Sequence, residues 1–153
     1  MVYFIEFGDI FSVEGVNNYA HGCNCAGAMG KGIAVQFRQM FPRMYDKYKE
    51  LCKQQQFTVG DVFTWQYENG YVFNLGTQVN WRAKARLQPV LTALEKMLQS
   101  AAGLHVNKIA LPKIGAGLGG LDWQEVRAGI IQLSEIFPQV DLFVVENFAG
   151  DGL

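Results

Sequence analysis

Two glycine-rich stretches, "HGCNCAGAMGKGIA" (21–34) and "KIGAGLGGL" (113–121), each follow an apolar run and each open onto a segment with helical periodicity. This repeated order of strand, glycine loop and helix constrains the chain more than any other feature. Glycine removes the Cβ that would hold a ligand away from the backbone. Inward-turned N–H groups and the partial positive charge of a helix N-terminus then hold phosphate without many lysines. One such loop reads as a tight turn. Two equivalent loops predict paired walls around a phosphorylated ligand.

The flanking segments follow from their periods. "VYFIEF" (2–7), closed by Gly8 and Asp9, predicts a strand, and "NNYAHGCN" (17–24) a second one. "IAVQFRQMF" (33–41) brings Ile33, Phe37, Met40 and Phe41 near one helical face. Pro42 stops that helix and starts the next, "RMYDKYKELCKQQ". "DVFTWQY" (61–67) and "YVFNL" (71–75) flank Glu68-Asn69-Gly70, where Asn-Gly predicts a hairpin. Residues 83–102 predict a long helix with Leu87, Val90, Leu91, Leu94 and Leu98 as its apolar stripe, provided that Pro89 falls in its first turn. "NKIALP" (107–112) predicts a buried strand, Asp122 a cap for the helix "WQEVRAGIIQLSEIF", and "DLFVVENF" (141–148) the last strand. Strands and helices intermix, so the expected fold is a three-layer α/β/α domain with a mixed, mostly parallel sheet of about six strands.

Composition excludes several alternatives. The 153 residues suit one domain spanning 1–153, half of them apolar and 18% charged. A net charge of −1 gives no broad electrostatic footprint for nucleic acid. "MVYFIEFGDI" has no basic n-region, and no apolar run approaches the roughly 20 residues that span a bilayer. Cys23, Cys25 and Cys52 are an odd number, unlike a secreted disulfide framework. A soluble, cytoplasmic protein with no membrane partner is expected. Zinc needs about four ligands, and His21, Cys23 and Cys25 have no second pair to complete the set. No metal and no other cofactor is expected, and the thiols read as packing. "GKG" (30–32) lacks the Walker pattern, and "GAGLGG" (115–120) comes too late in the chain for a dinucleotide fold.

Four segments in order resemble the macro domain, the ADP-ribose-binding fold, over nearly the whole chain. In "GDI" (8–10) the resemblance implies that Asp9 accepts the adenine amino proton and the Ile10 backbone bonds the ring. "HGCN" (21–24) sets Asn24 on the position that contacts the distal ribose. "GKGIA" implies a ligand loop of Gly30, Lys31, Gly32, Ile33 and Ala34, and "IGAGLGG" a second of Ile114, Gly115, Ala116, Gly117, Leu118 and Gly119. Around Asn147 and Phe148 the family often packs an aromatic side chain on adenine.

"NLGTQVNWRAKARL" (74–87) and "LPKIGAGLGGLDW" (111–123) resemble macrodomains that remove ADP-ribose from DNA bases, and eukaryotic relatives that release it from acidic side chains. "HGCNCAGAMGKGIA" is also similar to the loop of small ADP-ribose 1″-phosphate phosphatases. Thr77 and Gln78 fall in the ligand site, but the glycohydrolases carry a catalytic lysine where this chain has Gln78, and Gly119 replaces an acidic residue of the eukaryotic enzymes. Glutamine forms no Schiff base and is no cationic acid.

The resemblance implies binding of ADP-ribose and metal-independent hydrolysis of a derivative at the distal ribose 1″ position, as in the phosphatases. For that chemistry His21 is the candidate proton-transfer group, Asn24 orients the ribose, and Asp122 is a candidate base. Each has a plainer alternative: a hydrogen-bonded core histidine at 21 and a helix cap at 122. Two other functions stay open. One is a reader that binds ADP-ribose without turnover. The other is a glycohydrolase acting on ADP-ribosylated DNA or protein without the lysine, with Arg82, Lys84 and Arg86 of "WRAKAR" near a nucleic-acid backbone.

Overall fold

The computed structural model describes residues 1–148. Strands β1 (Val2–Gly8), β2 (Tyr19–Asn24), β3 (Val62–Tyr67), β4 (Gly70–Gln78), β5 (Lys108–Leu111) and β6 (Asp141–Phe148) form one sheet in the order β1-β6-β5-β2-β4-β3. Every neighbouring pair is parallel except β3–β4, the hairpin. The expected mixed, mostly parallel sheet is therefore present.

Alternation along the strands explains the layers. Ile109 and Leu111 of β5, Leu142 and Val144 of β6, and Phe73 and Leu75 of β4 pack with α3 (Leu87–Gly103) and α4 (Trp123–Ile136). The intervening Ala110, Val145 and Val72 pack on the other face with α1 (Ala34–Met40) and α2 (Pro42–Lys53). A period of two apolar on both faces requires helices on both faces. Met97 and Leu98 of α3 are wholly buried in this way, each contributing about 1.5–3 kcal/mol relative to exposure. Phe41, φ −129° and ψ 68°, breaks the path between α1 and α2. The residue before a proline is pushed out of the helical region, while Pro42 itself is preset for a first helical position.

Two sequence expectations change in detail. The long helix begins at Leu87 rather than at residue 83. Pro89 lacks an N–H, and its ring would meet the carbonyl of Ala85 if the helix ran back that far. Ala85 instead donates its N–H to Gly119 O at 2.9 Å. The hairpin forms, but Tyr67 and Gly70 are its closing pair and Glu68-Asn69 its turn, with neither at positive φ. Gly70 is needed for a different reason: an added Cβ would run into the carbonyl of Asn17. Among the described residues no helix is long and apolar enough to cross a membrane.

Candidate functional site

The parallel strands end on one side of the sheet, where open α/β sheets bind ligands. There the chain forms a cleft of about 410 Å³, joined to a smaller chamber of about 220 Å³. Gly22, Lys31, Ala34, Gln78 and Leu118 line both.

The larger cleft has a distinct character along its length. Gly8 at the end of β1, Ile10 beyond it, and Val145, Glu146 and Phe148 of β6 form one end. Phe148 is 46% exposed, an aromatic face open to a ligand. The middle lies between Lys31, Gly32 and Ile33 on one side and Ile114, Gly115, Gly117, Leu118 and Gly119 on the other. Thr77 lies at the floor, its Oγ1 donating to Cys23 O at 3.2 Å. In the smaller chamber Cys23, Asn24, Ala28, Gly30 and Trp81 complete the wall.

The backbone makes this site hospitable to phosphate. Gly32, Ile33, Ala34, Gly117, Leu118 and Gly119 donate their N–H groups to no other described residue, yet all line the cleft. At two glycines the fold itself has room for a side chain. A Cβ added at Gly30 or Gly117 would meet no atom within 4 Å, and neither has positive φ. Gly119 differs: its Cβ would come 2.5 Å from Gly115 O and 2.9 Å from Ala85 Cβ.

The structure separates the three candidate catalytic residues. His21 is wholly buried beneath Cys23 and Phe37 and lines neither chamber. Its ring stacks on Phe37 at 3.8 Å, and Nε2 donates to Asn74 Oδ1 at 2.7 Å. Burial outweighs the Asn74 hydrogen bond and lowers its pKa to about 4. A neutral imidazole packed in the core and away from both chambers is the arrangement of the core-histidine alternative. Asp122 is likewise outside both chambers; its Oδ1 accepts from Gln124 N at 3.0 Å as the cap of α4.

Asn24 does face the smaller chamber. Its Oδ1 accepts from Ala26 N at 3.0 Å, and Nδ2 donates to Ala28 O at 2.8 Å, which leaves one amide N–H for a ligand. Tyr48 secures it from below, donating to Asn24 O at 2.7 Å. Asp9 and Ala116 lie outside the lining of the cleft. Asp9 Oδ1 accepts from Phe11 N at 2.9 Å, and its second oxygen is unengaged among the described residues. Gln78, 8% exposed, donates through Nε2 to Ala83 O at 2.6 Å.

Several lining residues escape a reading of the sequence, among them Trp81, Pro112, Lys113 and Glu146. Glu146 Oε2 accepts from Trp123 Nε1 at 2.7 Å and lies 3.8 Å from Arg127 Nε. It shares a face of β6 with Phe148 by strand parity, which is legible in "VVENF". Trp81 sits in an aperiodic turn, where no pattern signals it.

These walls define an α/β/α domain with an elongated cleft, lined by backbone N–H groups, at the carboxyl end of its sheet. The family model described as the macro domain matches residues 20–130, and the chain belongs to that family. DNA ADP-ribosyl glycohydrolases of Mycobacterium tuberculosis and Thermus aquaticus are 34% and 37% identical over 131 and 129 residues, covering 83% and 80% of this chain. The chain spans only 37% and 35% of the length of these two relatives. An ADP-ribose 1″-phosphate phosphatase of Meyerozyma guilliermondii is 26% identical over 153 residues, covering 79% of this chain and 87% of the relative. The solved macrodomain of Mycobacterium tuberculosis DarG superposes with a TM-score of 0.89 at 29% identity, covering 95% of this chain and 97% of the other.

Proposed function

We propose that this chain binds ADP-ribose along the two-chamber cleft and hydrolyses ADP-ribose derivatives at C1″ of the distal ribose. The observation that carries this reading is the row of unpaired N–H groups on two facing glycine loops, midway between an aromatic end and a polar end. Adenine lies between Ile10, Val145 and Phe148, with Asp9 at the rim. The diphosphate lies between the loops, and the distal ribose enters the chamber of Asn24, Gly30 and Gln78. The names of the similar relatives, glycohydrolase and phosphatase, support hydrolysis at that end.

With His21 in the core and glutamine at 78, the chemistry rests on orientation and charge. Lys31 is the charged side chain that lines both chambers among the described residues. Its ammonium stabilises the electron pair that departs with the leaving group when the bond to C1″ breaks. Water supplies the hydroxyl that C1″ gains and the proton released with it. Charge held beside a developing anion lowers the barrier to bond breaking.

The test is release of phosphate or ADP-ribose from ADP-ribose 1″-phosphate, mono-ADP-ribosylated protein and mono-ADP-ribosylated DNA. Turnover of at least one is expected, reduced about ten-fold or more in Lys31→Ala and retained in folded His21→Gln. A second reading, a reader that binds ADP-ribose without turnover, is favoured by the absence of the lysine at Gln78. Tight ADP-ribose binding with none of the three substrates consumed would establish it instead.

A further inference from the structure

We infer that Glu146 is a specificity-determining residue that accepts a hydrogen bond from the adenosine ribose and so excludes ligands with a 2′-phosphate on that sugar. The inference rests on the reading of the cleft given above and concerns the end opposite C1″. Among the described residues Glu146 is the one acidic side chain that lines either chamber. A carboxylate in a cleft built for a diphosphate repels the ligand unless a donor group meets it. At this end the ligand has the adenine amino group, which faces Asp9 at the rim, and the hydroxyls of the sugar.

The anchoring of Glu146 sets its place along the cleft. Oε2 accepts from Trp123 Nε1 at 2.7 Å and lies 3.8 Å from Arg127 Nε, while Oε1 accepts from no described residue. Arg127 is itself held with Cζ 3.9 Å from the centre of the Phe4 ring, and neither Trp123 nor Arg127 lines the cleft. Trp123 is the first residue of α4, the helix that the second glycine loop opens. Glu146 thus stands between the adenine wall of Val145 and Phe148 and the loop that holds the diphosphate. The sugar is the part of the ligand that crosses there.

One carboxylate oxygen is fixed by the protein and the other is left for the ligand. A ribose 2′-hydroxyl donates to that second oxygen, and hydrogen bonds to a charged acceptor are among the stronger kinds. An acid meets the 2′-hydroxyl in the same way in dinucleotide-binding folds, which have a different architecture. A 2′-phosphate donates nothing and sets negative charge beside the carboxylate. Lys113 also lines the cleft and attracts phosphate. A partly exposed lysine pair contributes little, however, against a lost charged hydrogen bond and a new like-charge contact.

The experiment is calorimetric titration of wild type and Glu146→Gln, with thermal unfolding of both. The ligands are ADP-ribose, its derivative with a 2′-phosphate on the adenosine ribose, and the matching 2′-deoxyadenosine analogue. Wild type is expected to bind ADP-ribose at least about ten-fold more tightly than the 2′-phosphate and roughly five-fold more tightly than the deoxy analogue. Glu146→Gln keeps an acceptor for Trp123 and offers the sugar a neutral amide. It should bring the 2′-phosphate to within about three-fold of ADP-ribose. Wild type binding either analogue as well as ADP-ribose would overturn the assignment. So would a discrimination that survives Glu146→Gln, or a loss of unfolding temperature with all three ligands weakened alike, the mark of a carboxylate that only anchors α4. Failure of wild type to bind ADP-ribose is a different result, removing the reading of the cleft and this inference with it.

Discussion

At position 21 an imidazole is held entirely out of water between Phe37 and Asn74, and its ordinary proton affinity is lost. Burial takes its pKa to about 4, against about 6.5 in an unfolded chain. Between those values the unfolded chain binds a proton that the folded protein does not. The contribution of the neutral histidine to stability is therefore complete above pH 6.5 and lost progressively as pH falls toward 4. The loss amounts to roughly 3 kcal/mol across that window. Urea unfolding of wild type and His21→Gln at pH 7.5 and 4.5 checks this. The wild-type advantage should shrink at the lower pH, and a pH-independent difference between the two would contradict the burial argument. Little of this was legible in the sequence. Strand parity would send residues 21 and 24 to opposite faces, but a bulge between Cys23 and Asn24 breaks the regular register with β4. Both side chains meet the α1 and α2 side, His21 through Phe37 and Asn24 through Tyr48.

The elements divide the work between folding and binding, and single substitutions separate the two. Gly119→Ala forces a Cβ against Gly115 O and Ala85, and should cost about 1–3 kcal/mol of stability, read by thermal unfolding. Asp122→Ala removes the cap of α4 and should cost about 1 kcal/mol, with ADP-ribose affinity unchanged in a calorimetric titration. A large affinity loss in Asp122→Ala at full stability would return that residue to the site. Element order was readable from apolar periods and from Pro42, because one residue type there fixes the backbone. The start of α3 was not, since it depends on Ala85 finding a partner in a loop that is distant in sequence. Gly70 teaches a similar lesson: the hairpin was legible from Asn-Gly, but its glycine answers to Asn17 across the fold rather than to the turn.

At the scale of the whole molecule, the parallel order β1-β6-β5-β2-β4 gathers the carboxyl ends of five chain segments at one cleft. A near-neutral protein can hold a diphosphate there because the positive charge comes from backbone N–H groups rather than from lysines. The glycine loops announced this in the sequence, while the aromatic and charged residues around them became visible only once the sheet was assembled. Calorimetric titration of ADP-ribose into wild type and Gly117→Val, with thermal unfolding of both, tests the central claim most directly. A side chain at 117 enters ligand space without touching the protein at its Cβ. Wild type should bind saturably and one-to-one, and Gly117→Val at least about ten-fold more weakly, with closely matched unfolding temperatures. No binding by wild type, or equal binding by both, would contradict it.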